Sequence, residues 1–160
     1  MIPNMTYDKQ KFAAITVRIG DPVSTVLLFT SGKMVLTGCK SYLQTIVSAY
    51  EVMRLLRVGF PLMNIYIDDV SVQNVVGNSD LQLGPNRYID LDEMLAENRV
   101  YCTYLRSMFP GLIYRPQNSP VVLLLFQSGK VVITGGKSLD DVKGGWKRLW
   151  PEVSKYVKMK

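Results

Sequence analysis

Phe29-Thr-Ser-Gly-Lys-Met-Val-Leu-Thr-Gly-Cys-Lys-Ser41 reappears as Phe126-Gln-Ser-Gly-Lys-Val-Val-Ile-Thr-Gly-Gly-Lys-Ser138, at a constant offset of 97 residues. The same offset carries Arg18 onto Arg115 and Phe12 onto Phe109, with no gap between Phe12 and Ser41. An internal repeat of this kind sets architecture before local propensity does. One supersecondary unit is used twice, and a pseudo-two-fold axis is expected. Each functional candidate in one half then has a partner in the other. For 160 residues one domain is the default, and two fused half-domains sharing a core also fit.

Local patterning gives the unit its content. Phe12 to Ile19 reads as a strand, broken by Gly20-Asp21-Pro22. Val23 to Thr30 and Met34 to Thr37 form an antiparallel pair around Ser31-Gly32. Ser41 with Gln44 predicts a capping box, opening a helix that runs to about Val58, before Gly59 and Pro61. Met63 to Val76 reads as a long or bent strand, with loops at Gly77-Asn78-Ser79-Asp80 and Gly84-Pro85-Asn86. A short helix follows over Leu91 to Asn98, then a strand over Val100 to Tyr104. Gly111 to Arg115, Val121 to Gln127 and Val131 to Thr134 repeat the meander, and Ser138 caps the last helix. The class is α+β: antiparallel strands with one long amphipathic helix in each half.

Composition removes several function classes. The chain has no histidine, so serine–histidine and cysteine–histidine nucleophile systems cannot be built from it. Cys39 and Cys102 stand far apart, and neither a zinc site nor any cofactor is expected. No apolar run approaches the length of a membrane span, and no secretory signal is visible at the start. A formal charge of +6 and a pI near 9.3 favour a polyanionic partner without proving one.

The strands carry the sharper signal. Val121-Val-Leu-Leu-Leu-Phe126 and Val26-Leu-Leu-Phe29 are apolar on both faces, whereas a sheet covered on one side should alternate. Leu28, Leu36, Leu125 and Ile133 pack under the helices, so Leu27, Phe29, Val35, Leu124, Phe126 and Val132 face the other way. Too little helix exists to cover that second face. It is a subunit interface or a ligand surface. Along it run Ser31, Lys33 and Thr37 in one half and Ser128, Lys130 and Thr134 in the other, flanked by Arg18 and Arg115. Apolar residues suit the sugars and floor of a DNA minor groove. Hydroxyls suit the acceptors of A·T pairs, phenylalanines can enter base steps, and cations neutralise phosphates. Singly, each residue has a plainer explanation as core, turn or solvated surface. Their joint duplication on one face favours function.

Lys11-Phe-Ala-Ala-Ile-Thr-Val-Arg-Ile19, Phe29 to Gly38, Val72-Gln-Asn-Val-Val-Gly77, Phe109-Pro-Gly-Leu-Ile-Tyr-Arg115 and Val121 to Gly135 strongly resemble the TATA-box-binding protein family. The resemblance implies a saddle, with a curved antiparallel sheet under helices and a concave side that binds and bends A·T-rich DNA in transcription initiation. It implies intercalating pairs at Phe12 with Phe29 and Phe109 with Phe126. Asn74, Thr37 and Thr134 become polar groove readers. Val35, Val76, Val132, Leu27 and Leu124 become apolar groove contacts. Ser31, Ser128, Lys33, Lys130, Arg18 and Arg115 become backbone contacts. Implied partners are transcription factor IIA-like and IIB-like proteins and the RNA polymerase machinery. The implied location is the nucleus, or the site of transcription in a viral or archaeal source.

This sequence departs from the family at several places. The family's first repeat opens with a strand and helix that match Met63–Asn98, and only eleven residues precede Phe12. The expected division is therefore 1–71, a first repeat lacking that opening, and 72–160, a complete second repeat, together one saddle domain. The edge near Gln73–Val76 then invites a second copy or a strand-donating partner. Val23 and Pro120 stand where the family usually carries basic residues. Thr103-Tyr-Leu-Arg-Ser-Met108 replaces acidic residues through which the family engages transcription factor IIB. The first long helix carries Glu51 and apolar residues in place of a basic face.

Two other functions compete with DNA binding. An interaction module would use the apolar face for protein. An enzyme would need a carboxylate cluster, and Asp68-Asp69 with Asp90-Asp92-Glu93 is what the sequence offers. Their positions suit solvated turns and a helix start better.

Overall fold

Residues 5–10 and 12–160 are described by a computed structural model, which divides into two compact units, Met1–Ser71 and Val72–Lys160. Lys11 of the first family-like segment and the start at Met1 lie outside the described residues.

The first unit is an antiparallel sheet of β1 (Met5–Thr6), β2 (Ala14–Gly20), β3 (Val23–Phe29) and β4 (Met34–Thr37), in chain order, followed by α1 (Tyr42–Gly59). Alternation along the strands sends Val17 and Val26 against Val52 of α1, with Ile15, Ile19, Met34 and Leu36 around them. Ser41 caps α1, its Oγ accepting the Gln44 N–H at 3.2 Å. The expected capping box does not close. Gln44 Oε1 accepts the N–H of Lys40, at 2.8 Å, one residue before the cap. In the twin helix Asp141 Oδ2 makes the matching bond from the Lys137 N–H, at 2.9 Å, and adds the Ser138 N–H at 3.0 Å, which has no counterpart at Gln44 among the described residues.

The second unit adds elements to the same plan. They are β5 (Val75–Asp80), β6 (Arg87–Ile89), α2 (Leu91–Glu97), β7 (Cys102–Thr103), β8 (Leu112–Tyr114), β9 (Val122–Leu125), β10 (Lys130–Gly136), α3 (Leu139–Val153) and β11 (Val157–Met159). The main sheet runs β5-β10-β9-β8-β7, and β6 pairs with β11. The 97-residue offset extends to the short outer strands: Met5 faces Val17, and Cys102 faces Tyr114. Ser138 closes a full capping box with Asp141, which caps α3 and holds the Asp141 carboxyl below its usual range.

Three expectations change. Residues 61–74 contain no strand, and β5 begins at Val75 and continues through Gly77-Asn78-Ser79-Asp80, the stretch expected as a loop. The edge of β10 supplies a hydrogen-bonding partner, which overrides the turn-forming composition. Val100 to Tyr104 contracts to the two residues of β7. Asp90 caps α2, in keeping with the helix-start reading, while Asp92 pairs with Arg106 and Glu93 with Lys158 at 2.8 Å.

The added elements fill the second core. Ile89, Leu91 and Met94 join Leu112, Leu123, Leu125, Val131, Ile133, Leu149 and Val153. Tyr156 closes it, only 2% exposed, donating to Glu97 Oε2 at 2.7 Å and accepting from Asn98 Nδ2 at 3.0 Å. Burial first, and the Glu97 acceptor second, push its phenol up to about 12. An unfolded tyrosine ionises near ~10. The sign follows: this contribution is complete below ~10 and is lost as pH rises toward 12. Urea midpoints should therefore fall over that range, and Tyr156→Phe should flatten the fall. The Cys102 thiol, pushed up to about 11 by burial, adds a separate alkaline loss that the wild-type and variant comparison cancels.

Candidate nucleic-acid interface

Residues facing each other across an antiparallel pair share a face, so the registers assign the open side of each sheet. In the first unit one row is Thr6, Thr16, Leu27 and Val35. The next row is Arg18, Thr25 and Thr37, and Ala14 stands opposite Phe29. In the second unit the matching row is Thr103, Ile113, Leu124 and Val132, extended by Asn78 of β5. Val122 stands opposite Thr134. These are the faces away from α1 and α3, since Val26, Leu123, Leu125, Val131 and Ile133 belong to the cores. Sequence reasoning had found Leu27, Val35, Leu124, Val132, Thr37 and Thr134 there. It missed Thr16, Thr25, Ile113, Val122 and Asn78, whose assignment needs the strand registers.

The four phenylalanines stand in two matched pairs outside both cores. Phe12 and Phe29 have ring centroids 6.1 Å apart and planes at 65°, and Phe109 and Phe126 are 5.7 Å apart at 68°. Both are edge-to-face contacts, the arrangement the ring quadrupoles favour. Phe12 is 48% exposed and the other three rings are half-buried. The backbone fixes each pair twice over. Phe12 N–H bonds Asp8 O and Phe109 N–H bonds Leu105 O, while Phe29 and Phe126 pair with Lys33 and Lys130 at 3.0 Å across the hairpin. Gly32 and Gly129 close those hairpins at φ of 82° and 90°, which a side chain would resist.

Beyond the rings, Ser31, Lys33, Ser128 and Lys130 occupy the exposed hairpin tips, and Arg18 and Arg115 are exposed with no ion pair among the described residues. Lys130 lies across from Asp80 in register. Val35 is exposed at the end of its row, and Val76 is exposed on β5. Asn74 reaches Thr134: its Nδ2 donates to Thr134 Oγ1 at 3.0 Å and its Oδ1 accepts the Gly135 N–H at 2.7 Å. Thr37 instead lies 3.4 Å from Thr25 O, close enough to donate weakly. Each unit thus presents an apolar strip, an aromatic wedge at one end and hydroxyls and cations around it.

The family model described as transcription factor TFIID (or TATA-binding protein, TBP) matches residues 1–58 and 69–156. TATA-box-binding protein 1 of Triticum aestivum is 36% identical over 97% of this chain, which spans 64% of that protein's length. The TATA-box-binding protein of Acetabularia peniculus is 35% identical over 97% of the chain and 78% of its own length. Among solved structures, Methanococcus jannaschii TBP superposes with a TM-score of 0.76 at 32% identity, over 97% of this chain and 85% of that one.

Proposed function

Because this chain belongs to the TATA-binding protein family, we propose that it is a transcription initiation factor that binds A·T-rich promoter DNA in the minor groove. The observation that supports this most is the pair of phenylalanine wedges, each set at the end of an open, apolar strip. A groove floor of A·T pairs offers acceptors and no exocyclic amine to obstruct such a strip. Phe12 with Phe29, and Phe109 with Phe126, enter base steps and unstack them. Leu27, Val35, Val76, Leu124 and Val132 lie against sugars and base edges, with Asn74, Thr37 and Thr134 as polar contacts. Arg18, Lys33, Arg115 and Lys130, with Ser31 and Ser128, hold the backbone. A nuclear location belongs to the same reading. Fluorescence anisotropy with an A·T-rich duplex tests it: saturable binding at least tenfold tighter than to a G·C duplex is expected, and equal binding to both sinks it.

Salt dependence is a second measurement. Val23 and Pro120 are exposed, and alternation puts them on the open faces with Thr25 and Val122. With no cation at either place, fewer counterions are released. Introducing Val23→Lys and Pro120→Lys together should steepen the log–log salt slope by about two units.

Protein partners are expected to be diverged counterparts of transcription factors IIA and IIB. The duplicated unit supplies its own control. Leu43, Val47 and Tyr50 are exposed along α1, where the offset puts Asp140, Gly144 and Lys147 on α3. That apolar surface will not take a partner selected for a basic helix. Among the described residues β5 pairs with β10 and with no other strand, and its outer edge is the place this reading gives to a donated strand or a second copy. Binding of ordinary transcription factors IIA and IIB at full affinity would count against diverged partners.

A further inference from the structure

Resting on that DNA-binding reading, we propose that Asn78 reads a base edge and admits a G·C pair at one position of the site. Asn78 stands across from Val132 and continues the row Ile113, Leu124, Val132 on the open face. It is exposed, and its amide makes no hydrogen bond among the described residues. Alternation along β5 places Asp80 and Val76 on the same side, with Val76 also exposed.

The contrast with Asn74 gives the chemistry. A backbone N–H only donates, so the 2.7 Å bond from Gly135 N–H identifies Asn74 Oδ1 and fixes that amide's orientation. Thr134 Oγ1 takes one of its Nδ2 hydrogens. Asn74 has a remaining donor to offer and no way to turn over. Asn78 has neither constraint. Turned one way, it offers Nδ2 to adenine N3 or thymine O2. Turned the other way, it offers Oδ1 to the guanine N2 amino group, the donor that distinguishes G·C in the minor groove. An apolar residue or a locked donor leaves that amino group buried and unpaired, while a freely turning amide satisfies it. The substrate class is thus an A·T-rich duplex with one position open to G·C.

Anisotropy titrations of the full chain at fixed salt test this, using A·T duplexes that carry a single G·C pair at successive positions. Wild type should bind one of them within about twofold of the parent and the rest about tenfold more weakly. Asn78→Ala should bring the tolerated position down about tenfold to join the others, with a smaller, few-fold loss on the parent duplex from the missing Nδ2 contact, and an unchanged urea midpoint shows that the variant folds. Inosine·cytosine at that position, lacking the amino group, should restore binding to Asn78→Ala. Asn78→Asp, an acceptor only, should keep G·C at least equal to A·T there. Uniform rejection of G·C by wild type overturns the assignment, as does an Asn78→Ala loss equal at every position. Binding to no duplex at all overturns the DNA reading itself.

Discussion

Alanine at both Phe29 and Phe126 is expected to remove most of the DNA bend and weaken binding to an A·T-rich duplex by roughly 30-fold or more. The rings are paired edge-to-face outside the cores, so truncation leaves the cores intact, and losing both ring contacts costs roughly 1–3 kcal/mol of global stability. Bound, each ring would be fully desolvated between bases, the setting in which aromatic truncation costs about 2 kcal/mol or more. Gly111 offers a finer version of the experiment. A Cβ there would lie 2.7 Å from Phe109 Cε1 and 3.1 Å from Phe126 Cε1. The offset puts Ala14 at that place in the first unit, where the rings stand 6.1 Å apart and not 5.7 Å. Gly111→Ala should therefore splay the second wedge toward the geometry of the first and shift the bend modestly. End-to-end energy transfer across a labelled duplex reads both effects. A full bend with the double alanine variant would show that the rings are not the wedge.

Much of this was written in the chain, for a specific reason. The hairpins, the helices and the face of Leu27, Phe29, Leu124 and Phe126 follow from a sequence repeated in register, where each half corroborates the other. The span from Met63 to Asp80 has no repeat mate, and there the reading failed. Met63, Ile65, Tyr66 and Ile67 have strand-like composition yet form no strand, whereas Gly77-Asn78-Ser79-Asp80 resembles a turn yet pairs with the edge of β10. Gly77 is required for contact and not for turning: a Cβ there would sit 2.6 Å from Val142 Cγ1. Misplacing that strand also hid Asn78. β6 and β11 escaped notice because each is only three residues long and forms by mutual pairing at the rim of the core.

The repeat also solves one packing problem in two ways, which predicts a large energetic coupling. In the second unit α3 approaches the residue before β9 so closely that a Cβ on Gly145 would lie 2.3 Å from Val121 Cγ2. The offset maps these residues onto Ser48 and Ser24, whose hydroxyls meet at 2.8 Å while only 0% and 4% exposed. One unit fits a valine against a missing side chain, and the other fits two small side chains that satisfy each other's hydrogen bonds. Gly145→Ser alone drives a side chain into Val121, with an expected loss of about 1–3 kcal/mol despite the better helix propensity. Val121→Ser alone forfeits roughly 1.5–3 kcal/mol of apolar burial and leaves a buried hydroxyl short of partners. Together the two serines reproduce the arrangement of the first unit, so the double variant should be about 2 kcal/mol more stable than the sum of the single losses allows. Both tryptophans, Trp146 and Trp150, lie on α3, so urea unfolding followed by their fluorescence reports on the unit being altered. Losses that add to within about 0.5 kcal/mol would show that the two contacts are independent and that the duplicated units do not share one helix-to-sheet spacing.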